Sequence, residues 1–116
     1  MNYQDLHGHT IREGFLAFNS KNPHIFLEFE KQALRAIKKG RKKISAKLII
    51  NWIRWNEQLK TTDVDFKIND AFQSYYARAF VEKYPEHSER FNFRKLRNEN
   101  SGPFMKIEEN GQIAFL

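Results

Sequence analysis

The chain has 116 residues, 41% of them hydrophobic, including eleven Phe, four Tyr and two Trp but no Cys. That suffices for one domain with an aromatic core and excludes a disulfide framework or a thiolate zinc site. The net charge of +6 is unevenly spread: from Lys31 to Lys60 ten Lys/Arg accompany the single acid Glu57, a local +9, while the rest of the chain carries ten basic and thirteen acidic side chains.

The N-terminal stretch is polar and has no apolar run able to act as a signal or a membrane span, so a cytoplasmic protein without membrane contact is expected. His7-Gly8-His9 falls short of the three or four ligands a zinc site takes, and a flexible polar terminus is expected there. Ile11 to Phe18 is mixed in period and fits either a strand or a covering segment.

Asn22-Pro23 opens a first clear helix, with Pro preorganised for the first helical position and Asn supplying the cap. Ile25, Phe26, Phe29, Ala33, Ala36 and Ile37 share one face, and Gly40 stops the helix. Lys38, Lys39, Arg41, Lys42 and Lys43 then flank a helix–turn–helix joint. Lysines near a helix C-terminus favour the dipole, which accounts for two of these five cations.

Ser45 is placed to cap a second helix, Ala46 to Leu59, free of Gly and Pro. At 100° per residue Trp55, Leu48, Leu59, Trp52, Ile49 and Ile53 fall on one arc of roughly 160°, the expected buried face. Opposite them Lys47, Asn51, Arg54 and Gln58 line up in a row. Such a row suits base edges and phosphates, since Arg fits guanine, Asn and Gln fit adenine, and Lys fits phosphate; the alternative is a solvated helix face.

Phe66-Lys67-Ile68 reads as a short extended piece and Asn69 as a second cap. A third helix follows from Asp70 to Tyr84, with Phe72, Tyr75, Tyr76, Ala79 and Phe80 inward, Arg78 on its other side and Pro85 as the stop. A short helix or turn through Glu86 to Arg97 adds Phe91, Phe93 and Leu96 to the core, and Arg90, Arg94, Lys95 and Arg97 to a second, smaller basic patch. The chain closes with two short strands around Asn110-Gly111, a type I′ signal that sets Glu109 against Gln112 and Ile107 against Ala114, with Gly111 at positive φ.

The expected fold is α+β, mainly helical: three main helices, a basic helix–turn–helix joint and a C-terminal β-hairpin, in a winged-helix-like layout. An α+β bundle without a wing is the alternative. There is no phosphate-cradling glycine loop, HExxH, GxSxG or cysteine nucleophile, so no enzyme and no cofactor are expected. Glu28 and Glu30, two apart on a helix, diverge and make no catalytic pair. Tyr75 and Tyr76 sit at helical spacing, as core rather than as base-stacking platforms.

The spaced pattern Asn22-Pro23, Gly40, Ser45-Ala46, Ile53-Arg54-Trp55, Phe66-Lys67-Ile68-Asn69, Tyr76-Ala77-Arg78, Phe80, Pro85 and Arg94 resembles a group of small proteins encoded by phages, prophages and other mobile elements. The likeness runs from residue 18 to 97. It implies a phage-like setting and leaves the mechanism open, small phage proteins often being DNA-binding regulators or inhibitors of host defence such as anti-CRISPR proteins. The residues themselves point to a nucleic-acid-binding module, because Lys and Arg gain affinity for polyanions by displacing counterions. In this reading Lys38, Lys39, Arg41, Lys42 and Lys43 hold phosphates beside Lys47, Asn51 and Arg54, with Arg78, Arg94 and Arg97 as outlying cations. The alternative is an inhibitor of a host defence effector protein, or a ligand of its guide RNA, acting through the same surface.

Overall fold

The computed structural model describes residues 8–60, 66–92 and 105–115, with the backbone alone at 8–10. Helix α1 spans Gly8–Lys21, α2 Pro23–Lys38 and α3 Ala46–Lys60. A 3₁₀ turn at Asp70–Phe72 runs into α4, Gln73–Lys83, and a second 3₁₀ stretch covers Pro85–Arg90. Strands β1, Met105–Ile107, and β2, Ile113–Phe115, pair antiparallel.

Helix α1 lies where the sequence suggests only a strand or cover. Its two glycines and β-branched Thr10 and Ile11 weaken intrinsic propensity, so burial has to hold it. Phe15 supplies that burial: fully enclosed, it stacks on Tyr75 at 5.3 Å between centroids and meets Tyr76 edge-on at 4.9 Å. Asn22 stands at the N-cap of α2 but makes no side-chain cap bond; its Nδ2 instead donates to Phe18 O at 3.0 Å and closes the end of α1.

In α2 the expected face is inward, with Ile25, Phe26, Phe29 and Ala33 buried. The helix ends as the glycine requires. Gly40 takes φ +89°, its amide bonds Ile37 O at 2.9 Å and the amide of Arg41 bonds Ala36 O at 3.0 Å, the paired bonds of a Schellman stop. Ser45 caps α3 by accepting from Leu48 N at 3.2 Å, and Asn69 Oδ1 accepts from Ala71 N at 2.9 Å ahead of α4. Residues 66–69 are irregular chain rather than strand, and they seat Ile68 in the core.

The orientation of α3 differs from the expected one. Ile49, Ile50, Ile53 and Glu57 are buried, whereas Leu48, Trp52, Trp55 and Leu59 are 69%, 41%, 60% and 66% exposed. The apolar positions of α3 form two adjoining stripes, and the isoleucine stripe is the one packed against α2 and α4. Glu57 is admitted to this face because it is partnered: His24 on α2 lies 3.2 Å from its Oε1 and Lys60 Nζ lies 3.9 Å from Oε2.

The hairpin register also differs by one residue. Met105 faces Phe115, Lys106 faces Ala114 and Ile107 faces Ile113. Among the described non-glycine residues none has positive φ, so Asn110 does not take the left-handed conformation a type I′ turn demands; Gly111 alone does, at φ +94°. A three-residue loop results, closed by Gly111 N→Glu108 O at 3.0 Å and Glu108 N→Gln112 O at 2.8 Å. This register puts Met105 and Ile113 together on the buried face. The hairpin packs on α1 and α4, and its tip rests on the start of α2.

Candidate nucleic-acid interface

The joint between α2 and α3 carries most of the expected site, and it is a braced loop. Ile44 is buried and its amide donates to Arg90 O at 2.7 Å. Arg90 returns the contact, its guanidinium donating to Arg41 O at 2.7 Å and to His87 Nδ1 at 2.9 Å. Lys43 Nζ donates to Glu89 O at 2.9 Å. The 3₁₀ segment after α4 therefore clamps residues 41–44 from outside, and the Schellman stop at Gly40 fixes them from within.

This scaffold presents Lys38, Lys39, Arg41 and Lys42 to solvent, and among the described residues their side chains make no hydrogen bond or ion pair. Lys47, in the first turn of α3, is exposed as well, and its charge adds a small downward pull on the carboxyl of Asp70. Five cations on a fixed backbone give up little conformational freedom of the chain on meeting a polyanion, although each side chain must still order.

Asn51 and Arg54 stand differently. Arg54 donates to Asn51 Oδ1, to Ile68 O and to Asp70 Oδ1, each at 2.7 Å. It joins α3 to the loop before α4, and both of its Nη2 donors are already used. The Arg54 hydrogen bond, with its charge, holds the Asp70 carboxyl below the usual carboxylate range. An open cleft of about 400 Å³ beside this pair is lined by Arg54, Gln58, Phe66, Lys67, Ile68 and Asp70. Arg78 is half-buried on α4, engaged within the chain, and desolvation pulls its guanidinium below the ordinary value. Arg94 and Arg97 lie outside the described residues.

Arg90, expected in a second basic patch, instead organises the joint from 49 positions away along the chain, a role that no local pattern marks. The exposed Trp52 and Trp55 were missed for another reason: amphipathic spacing assigns large apolar residues to the core. Among the described residues no group of three or more His, Cys, Asp or Glu could hold a metal ion, and no helix is long and apolar enough to cross a membrane. Compared with protein-family models, with curated proteins and with solved structures, the chain matches none of them.

Proposed function

We propose that the protein binds nucleic acid through the α2–α3 joint, with Lys38, Lys39, Arg41, Lys42 and Lys47 holding backbone phosphates. The observation that carries this reading is a dense set of exposed, unpartnered cations on and beside a loop braced by Arg90, Ile44 and Lys43. Other cations are paired within the chain, as at Arg54–Asp70 and Lys83–Glu30. Cations left unneutralised on a rigid frame suit counterion displacement by a phosphate chain.

Arg54 is assigned no base contact, since both Nη2 donors are already bonded to Ile68 O and Asp70 Oδ1 and a bidentate base contact would break at least one of these bonds. A winged-helix mode would add the hairpin to the surface; its seat on α1 and α4 supports a packing role instead. The resemblance to mobile-element proteins favours a phage-like setting, in which the same cations would serve an inhibitor of a host defence effector by gripping its guide RNA.

The test is a titration of the wild type and of the variant Lys39→Glu/Lys42→Glu/Lys47→Glu with random-sequence DNA and RNA at low salt. None of the three side chains is buried or hydrogen-bonded, so the variant keeps its fold. Binding by the wild type that the variant abolishes supports the proposal. No binding to either polymer at low salt overturns it.

A further inference from the structure

Leu48, Trp52, Trp55 and Leu59 stand apart from every role assigned so far. They are the large exposed hydrophobic side chains among the described residues, and all four are on α3. Their spacing of four, three and four residues brings them within an arc of roughly 60° on the helix, the narrow seam of a coiled-coil helix rather than the broad face of a core-packing one. From their exposures the ridge offers on the order of 450 Å² of apolar surface. That is the apolar share of one side of a standard interface, where each partner buries roughly 800 Å² and somewhat over half is apolar.

Two features say what covers it. The ridge is symmetric about its midpoint, Leu-Trp-Trp-Leu read in either direction with the same spacing. An antiparallel copy related by a two-fold axis would set Leu48 against the other chain's Leu59 and Trp52 against its Trp55, so that each contact occurs twice, as a two-fold interface requires. The immediate borders of the ridge are also neutral. Asn51 and Gln58 flank one side and Asn56 the other, while Lys47 and Arg54 on the first side and Lys60 on the second lie further round the helix. A basic protein that pairs with itself needs an uncharged border, and an acidic partner would be met by charged ones. The helix is already held by its isoleucine stripe, so pairing orders no backbone.

We infer that α3 is a dimerisation helix: two copies of this chain pair antiparallel through the Leu48–Trp52–Trp55–Leu59 ridge. This stands independently of the nucleic-acid reading, since the cations of the joint lie outside the ridge. The pair leaves one basic joint at each end of the paired helices.

Trp52 and Trp55 are the chain's two tryptophans, so intrinsic fluorescence reports on the ridge alone. Sedimentation and emission spectra of the full chain, measured over a wide concentration range without nucleic acid, provide the test. The expected result is a species of twice 13.9 kDa whose tryptophan emission shifts to the blue as it forms. Trp55→Glu should weaken it about 30-fold or more, the size of an interface hot spot, with unchanged circular dichroism because Trp55 packs in no core. Leu48→Glu should do likewise. A monomer with red-shifted emission at every concentration overturns the inference, as does a dimer indifferent to both substitutions. Emission unchanged by concentration but quenched by single-stranded oligonucleotide also overturns it, and assigns the ridge to base stacking.

Discussion

Asn19 and Gly111, 92 positions apart, are joined in the interior: Asn19 Nδ2 donates to Gly111 O at 2.8 Å, while its Oδ1 accepts from Tyr76 Oη at 3.3 Å. One fully buried amide thereby ties α1, α4 and the hairpin tip together. Asn19→Ala leaves a buried carbonyl and a buried hydroxyl unpaired, and should lower stability by roughly 2–4 kcal/mol. Urea unfolding checks this, and a double-mutant cycle with Tyr76→Phe should show the two changes to be non-additive.

Gly111 is required for two reasons. Its φ is +94°, and a Cβ there would come within 2.3 Å of Pro23 O and 3.1 Å of Leu27 Cγ. Gly111→Ala should cost about 2 kcal/mol or more and lift the hairpin tip from α2. Faster amide exchange in 105–115 and at Asn22–Phe26 is the expected signature.

Gly14 behaves oppositely. It is exposed on α1 at ordinary φ, and a Cβ there would meet the Phe72 ring at 3.7 Å, a normal contact. Gly14→Ala should raise stability by about 0.5–1 kcal/mol through helix propensity and a stiffer unfolded chain, seen as a higher melting temperature.

The isoleucine and tryptophan stripes of α3 separate cleanly by mutation. Ile53→Ala should cost roughly 2–5 kcal/mol as a buried large-to-small change, whereas Trp55→Ala should change monomer stability by no more than about 0.5 kcal/mol. The comparison is made by denaturant unfolding of each variant in a Leu48→Glu background, which keeps the dimer equilibrium out of the measurement.

What the sequence discloses divides along physical lines. Local chemistry is legible: Ser45 and Asn69 cap, Gly40 stops α2, and the α2 face of Ile25, Phe26, Phe29 and Ala33 is buried. Features decided by tertiary context are not. Helix α1 exists because Phe15 is enclosed by Tyr75 and Tyr76, and its own residues are poor helix formers. The rotation of α3 is set by the seat between α2 and α4, so Ile50 and Glu57 turn inward and both tryptophans outward. The hairpin slips by one residue because, within its turn, Gly111 alone takes positive φ. At the site, the cations of the joint are read directly from the sequence, while Arg54 changes character through Ile68 and Asp70, partners that no spacing rule connects to it.

A cluster of Glu30, Lys83 and Tyr84 sets an alkaline limit. Lys83 Nζ lies 2.6 Å from Glu30 Oε2 and Tyr84 Oη donates to the same oxygen at 2.8 Å. The Glu30 hydrogen bond holds Lys83 above its ordinary value; burial first, then Glu30, does the same for Tyr84. A raised value means that the folded state keeps its proton longer than the unfolded one. The stabilisation is therefore complete below about pH 10 and lost as pH climbs through the folded values. Melting temperature should fall above about pH 10, and less steeply in Glu30→Gln.

The salt dependence of binding to a random oligonucleotide tests the central claim most directly. Five cations poised for phosphates predict a log–log slope of roughly −3 to −5, and a neutral variant, Lys39→Gln/Lys42→Gln/Lys47→Gln, should be shallower by about 2–3. A wild-type slope near zero, or the same slope in the variant, would contradict a phosphate-binding joint.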